Sequence, residues 1–171
     1  QFIREANQAI KSEFPDAYLL AEIWHDPTDW IQADQFDANM EYEIGTIFID
    51  WLNKKIDTLN LIQRLCDIDQ RTPIDRTPSQ FHLIDSHDTA RLMTLVNEDS
   101  KKAHLALTFL SLQKGSICIF YGTNYLLTGE NDPYCRVPYP LNPTQTQLEY
   151  EASFKQILQF RKDNNSIFQS N

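Results

Sequence analysis

Residues 17–25 read Ala17-Tyr18-Leu19-Leu20-Ala21-Glu22-Ile23-Trp24-His25: a nearly continuous apolar run the length of one strand, broken by a carboxylate where a polar turn begins. An unbroken apolar run is what a strand covered on both faces requires. Glu22 is therefore the residue that packing does not explain. The segment Ile84-Asp85-Ser86-His87-Asp88 repeats the arrangement further along, with acids where Gln80-Phe81-His82-Leu83-Ile84 stops. In a parallel α/β barrel the loops after the strand C-termini form the active face, so charged residues at two such points read as chemistry rather than packing.

Working outward, Phe2, Ile3, Ala6, Ile10 and Phe14 fall at helical spacing ahead of Pro15-Asp16, which predicts a helix leading into the first strand. A second strand is expected over residues 36–42, followed by helices around Ile44 to Trp51 and Thr58 to Cys66. Residues 67–79, rich in Asp, Thr, Pro and Arg, read as a connecting loop before a third strand at 80–85. Asp99 or Ser100 is placed to cap the next helix, which Lys114-Gly115 would stop, and Ile117 to Tyr121 reads as a fourth strand. Gly122 to Thr146 is a long loop of the kind that carries function in a compact domain. A last amphipathic helix holds Leu148, Phe154, Ile157, Leu158 and Arg161. Strands alternating with helices define parallel βα units, and four of them make half of an eight-stranded barrel.

The chain has 171 residues, 42% of them hydrophobic, enough to bury a core as one domain. Its formal net charge of −9 is spread through the sequence, which disfavours nucleic acid as a partner. No apolar run is long enough to span a membrane, and no secretory leader is visible at the first residues. Cys66, Cys118 and Cys135 have no CxxC spacing and are odd in number, which fits free thiols in a reducing, cytoplasmic compartment. Cys118, within Ile117-Cys118-Ile119-Phe120, is expected to be a small buried residue.

Each candidate has a structural reading beside the chemical one. Glu22 at the end of a buried strand would be held as the neutral acid and donate a proton to a leaving oxygen, or it pairs with Arg91 or Arg136. Trp24 is a stacking platform or a lid on the core. Asp88 stabilises a cationic transition state, with His87 bonding a substrate hydroxyl, or it caps a helix around Ala90 to Leu95. A Ser86-His87-Asp88 triad is the weakest reading, since three consecutive residues cannot converge as a triad requires. Asp132 and Arg136, four apart in the long loop, form a salt bridge or hold sugar hydroxyls.

Taken together, Ala21-Glu22-Ile23-Trp24-His25, residues 34–40 (Asp-Gln-Phe-Asp-Ala-Asn-Met), Ser86-His87-Asp88-Thr89-Ala90-Arg91, and residues 128–133 (Thr-Gly-Glu-Asn-Asp-Pro) with Cys135 and Arg136 resemble the α-amylase family of glycoside hydrolases, most closely its neopullulanase and cyclomaltodextrinase branch. The resemblance runs from the first helix to the last. It implies strands 5 to 8 of a TIM (β/α)8 barrel: residues 1–171 would be the C-terminal half of the catalytic domain, with a substrate-side loop at 122–146 and with the N-terminal half and a C-terminal β-domain absent. It further implies Glu22 as general acid/base, Asp88 as the carboxylate that stabilises the transition state, and His87 on a hydroxyl of the sugar at the cleavage point. Trp24 would line the site of the leaving sugar, and Asp132 with Arg136 would hold glucose units on the other side.

Cleavage in that family is retaining, which needs two carboxyl groups about 5–5.5 Å apart. The family nucleophile is an Asp on the preceding strand, expected before Gln1, so this half is expected to be inactive alone. The implied partners are cyclodextrin, maltodextrin and pullulan, with no cofactor and no metal. Exposed half-barrel edges are expected to promote self-association. The sequence departs from the family at Tyr121-Gly122-Thr123-Asn124-Tyr125, where relatives carry an acidic pair after the Gly, and at Ala21, where Gly is usual. Two other classes remain as alternatives: a non-catalytic carbohydrate-binding half-barrel, and a metal-dependent hydrolase ligated by Glu22, His25, His87 and Asp88.

Overall fold

A computed structural model describes residues 1–169; the expected domain extends to residues 170 and 171, which lie outside them. Four strands, β1 (Leu20–Ala21), β2 (Ala38–Glu41), β3 (Phe81–His82) and β4 (Ser116–Ile117), form one all-parallel sheet in the order β1-β2-β3-β4. Between and around them run α1 (Phe2–Glu13), α2 (Tyr42–Leu52), α3 (Thr58–Arg71), α4 (Leu92–Leu95), α5 (Ser100–Ser111) and α6 (Gln145–Asp163). Chain order equals spatial order, as stepwise βα units require.

The strands pair over fewer residues than the apolar runs predict, and at β1 side chains take over parts of the ladder. Asp37 Oδ2 accepts the Leu19 N–H at 2.7 Å. Asn39 Oδ1 accepts the Ile23 N–H at 2.8 Å, and its amide returns a bond to the Ile23 carbonyl at 3.1 Å. The expected loop at 67–79 is a correction: α3 continues to Arg71, and only the residues after it are irregular apart from a 3-10 turn at Thr77–Ser79. Its apolar positions Leu61, Leu65 and Ile68 keep helical spacing through the polar stretch and pack on the core.

The core lies between the sheet and α2, α5 and α6. Ile47, Phe48, Leu107, Leu110 and Phe154 are buried there, and Phe48 stacks on Phe109 with ring centroids 3.8 Å apart. Gly45 brings α2 against β3's continuation: a Cβ there would meet the Leu83 carbonyl at 2.7 Å. Asp99 caps α5 through the N–H groups of Lys101 and Lys102, while Gly115 takes a left-handed φ of +90° in the turn into β4 rather than ending the helix directly. A Thr144–Gln147 capping box starts α6.

α1 buries none of its residues, and Phe2 and Phe14 on its apolar stripe are 77% and 61% exposed. It is held by polar contacts: Arg4 to Asp34 at 2.7 Å and Lys11 to Asp37 at 2.8 Å. Cys118 is half-buried rather than buried, another correction: its strand neighbours Ile117 and Ile119 take the places against the core, and the buried thiol is Cys135. All three cysteines are free.

Candidate active site

Glu22 immediately follows β1, Tyr42 opens α2 directly after β2, and Ser86, His87 and Asp88 follow β3's continuation, so the C-terminal ends of three consecutive strands meet at one end of the sheet; the expected alternation fails once, since β1 leads to β2 through irregular chain with no helix. The Tyr42 hydroxyl lies 3.2 Å from Glu22 Oε1 and 3.2 Å from Ser86 Oγ. One hydroxyl proton cannot serve both, so with Tyr42 donating to the carboxylate, Ser86 donates to the Tyr42 oxygen. Ser86 Oγ in turn accepts the Asp88 N–H at 3.1 Å. A continuous hydrogen-bonded chain thus joins the backbone of Asp88 to the carboxylate of Glu22. Burial first, and then the negative charges of Glu22 and Asp88, push the Tyr42 phenol up to about 12 against the bond from Ser86; it stays a donor at neutral pH.

Two sequence expectations for Glu22 are corrected here. Its side chain is exposed rather than enclosed at the end of a buried strand. Nor does it pair with arginine. Arg91 is fully buried and donates to the carbonyls of Cys135 at 2.7 Å and Tyr121 at 2.6 Å, with its guanidinium over the rings of Phe120 and Tyr121. Arg136 lies 2.7 Å from Asp132 and 3.2 Å from Asp88.

Asp88 is half-buried, with Arg136 on Oδ1 and His87 Nε2 3.3 Å from Oδ2. It does not cap the following helix. Asp85 does so, accepting the Leu92 N–H at 2.9 Å. Arg136 Nε also donates to the His87 carbonyl at 3.1 Å. The structure therefore brings Asp132, Arg136, Asp88 and His87 into one cluster, with the Asp132–Arg136 salt bridge formed. Trp24 stacks on Tyr42, centroids 4.0 Å apart, and is 57% exposed, so it offers a free ring face beside Glu22 rather than a lid on the core. From this platform a groove of about 610 Å³ continues between His25, Asp26, Glu43, Arg71 and Thr89. Among the described residues, no group of three or more His, Cys, Asp or Glu side chains is placed to hold a metal ion, and Glu22, His25, His87 and Asp88 do not converge as a ligand set.

Tyr42 and Asn39 belong to the site and carry no role in the sequence reading, and Ser86, read there only as part of its motif, proves to be the link between Tyr42 and Asp88. Tyr42 had a signal, an aromatic with a polar tip at the end of a predicted strand; the coupling to Glu22 spans 20 residues and has none.

The assembly defines a class: a parallel βα half-barrel whose strand ends present two carboxylates, a histidine and an open aromatic face. The catalytic-domain model of the alpha-amylase family matches residues 1–169. The chain is 37% identical over 163 residues to a cyclomaltodextrinase from Geobacillus thermopakistaniensis (strain MAS1), covering 95% of this chain and 28% of that protein. It is 34% identical over 167 residues to an intracellular maltogenic amylase of Bacillus subtilis (strain 168), covering 97% and 28%. The solved cyclic alpha-maltosyl-(1→6)-maltose hydrolase of Arthrobacter globiformis, in complex with cyclic alpha-maltosyl-(1→6)-maltose, matches with a TM-score of 0.91 at 28% identity, covering 99% of this chain and 39% of that one. This chain belongs to the alpha-amylase family, and these relatives stand in the branch its motifs resemble. It spans 28% of the length of the curated relatives it matches.

Proposed function

We propose that these residues form strands 5 to 8 of the catalytic barrel of a retaining α-glucan glycoside hydrolase, acting in its complete form on cyclodextrins, maltodextrins or pullulan. The observation that carries this is the hydrogen-bonded chain from the Glu22 carboxylate through Tyr42 and Ser86 to the backbone N–H of Asp88, which ties the two acid-bearing strand ends together on one rim. Glu22 acts as general acid, protonating the glycosidic oxygen, and then as base toward water. Its exposure in this chain leaves it free to meet a substrate oxygen. Asp88 stabilises the oxocarbenium-like transition state while His87 bonds a hydroxyl of the same sugar. Trp24 stacks on the leaving sugar, and Asp132 with Arg136 holds a glucose unit on the far side.

The nucleophile of this chemistry is assigned to a barrel strand outside the sequence given. Among the acids near the rim, Asp85 is buried and bonded to Leu92 and Thr123, Asp132 is engaged by Arg136, and Glu41 is buried, with its carboxylate accepting the Glu43 N–H. The half-barrel alone is therefore inactive, and it associates with itself through the open edges of β1 and β4. No helix among the described residues is long and apolar enough to cross a membrane. Three free thiols and a relative described as intracellular support a cytoplasmic setting. Isothermal titration with β-cyclodextrin and maltotriose tests the site: saturable binding weakened about tenfold or more by Trp24→Ala and by Arg136→Ala is expected, and binding indifferent to both substitutions would overturn the assignment. A carbohydrate-binding half-barrel without catalytic descent would bind alike but leave a complete parent inactive.

A further inference from the structure

Asp85 stands just before the segment that carries Ser86, His87 and Asp88, and the proposed chemistry does not use it. It is 1% exposed. Its Oδ2 accepts the Leu92 N–H at 2.9 Å, and the Thr123 hydroxyl lies 3.0 and 2.9 Å from its two oxygens. The first bond joins residue 85 to residue 92, so one side chain closes the segment at its neck. The second ties that neck to the turn after β4, from which the chain runs on to Asp132 and Arg136. Within the segment, the His87 carbonyl accepts the Cys135 thiol at 3.0 Å and Arg136 Nε at 3.1 Å, and the Ala90 N–H donates to Asn131. A buried carboxylate costs desolvation that a Ser or Asn cap on a four-residue helix would avoid. Its value lies in reaching two partners on two loops at once.

We propose that Asp85 is a positioning residue for Asp88 and His87: it pinches their segment shut at Leu92 and fastens it to Thr123, which sets where the two side chains stand on the rim. Its bearing on catalysis rests on the role given to Asp88 above; the latch itself does not. Cys135 supplies the probe, because its thiol is fully buried against the His87 carbonyl and is reached only when the segment lifts.

Labelling of the native chain with N-ethylmaleimide, read at each cysteine by mass spectrometry, tests the latch, with exposed Cys66 as the internal reference. Asp85→Ala is expected to label Cys135 at least about tenfold faster, as loss of a bond to a charged acceptor predicts. Asp85→Asn keeps an oxygen for the Leu92 N–H and turns its amide to Thr123, and it is expected within about threefold of the unsubstituted chain. Thr123→Val, which removes one anchor, falls between the two and carries the test if Asp85→Ala does not fold. Leu61→Ala, a core substitution on α3 away from the latch, leaves the Cys135 rate near that of the unsubstituted chain. An unchanged rate in Asp85→Ala, or in Thr123→Val where that variant stands in, overturns the proposal, as does an Asn variant as fast as the Ala variant or an equal acceleration by Leu61→Ala. Loss of the expected labelling pattern sinks the latch alone; absent glucan binding with the pattern intact sinks the role of Asp88 alone.

Discussion

Two buried groups on the third strand and its continuation carry opposite pH signatures. Burial pushes the Asp85 carboxyl up to about 6 despite the bonds from Leu92 and Thr123, so between about pH 4 and 6 the folded chain holds a proton that the unfolded chain has lost. Its contribution to stability is present at low pH and falls as pH rises through that window. Burial pushes the His82 imidazole down to about 4, so over nearly the same window the unfolded chain holds the extra proton, and the contribution of His82 rises with pH. The two oppose each other, each worth on the order of 3 kcal/mol at full extent. Urea unfolding measured across this window is therefore expected to show stability rising with pH in Asp85→Asn and falling with pH in His82→Gln. Parallel profiles in the two variants would contradict the assignment. Arg91 shows what the sequence hides at this scale. Its sequence position allows an ion pair with Glu22, but its fork instead holds two carbonyls, from residues 30 and 44 positions away, against the adjoining rings of Phe120 and Tyr121. Arg91→Lys keeps the charge and loses the fork, and a loss of roughly 2–4 kcal/mol in unfolding free energy is expected.

At the scale of elements, the order of strands and helices was legible because buried parallel strands and amphipathic helices differ in period. The ends were less so. Asp67, Asp69, Gln70 and Arg71 have loop-like composition and mask the last turn of α3, although Leu61, Leu65 and Ile68 continue the helical face. β1 is shorter than its apolar run because Asp37 and Asn39 substitute side-chain oxygens for ladder carbonyls, a choice no periodicity records. Caps were readable where the residue type and the helix start coincide, as at Asp99; Asp99→Ala is expected to cost about 1 kcal/mol in thermal or urea unfolding. Leu107→Ala, in the middle of α5 and fully buried, is expected to cost about 2–5 kcal/mol, and a cost under 1 kcal/mol would mean that α5 does not form the core described.

For the whole molecule, the carboxylates at the strand ends and the parallel order were visible in the sequence, since both follow from where apolar runs stop. What ties Glu22 to the Asp88 segment was not, because the chain through Tyr42 and Ser86 is assembled by the sheet from residues 20 and 44 positions apart. The same sheet leaves β1 and β4 as its edges and α1 with an uncovered apolar stripe, features that favour pairing with another copy. Light scattering across a concentration series is expected to show mass rising above 20.0 kDa; a constant monomer mass would count against self-association. The central claim is that Glu22 and Asp88 belong to a retaining α-glucan site whose nucleophile lies elsewhere in the parent barrel. The most direct measurement is release of reducing sugar from β-cyclodextrin and pullulan by this chain beside its Glu22→Gln variant, with binding of both sugars followed in parallel. Binding by both proteins with release by neither is the predicted result. Release by the unsubstituted chain that Glu22→Gln abolishes would place the nucleophile within these residues and contradict it.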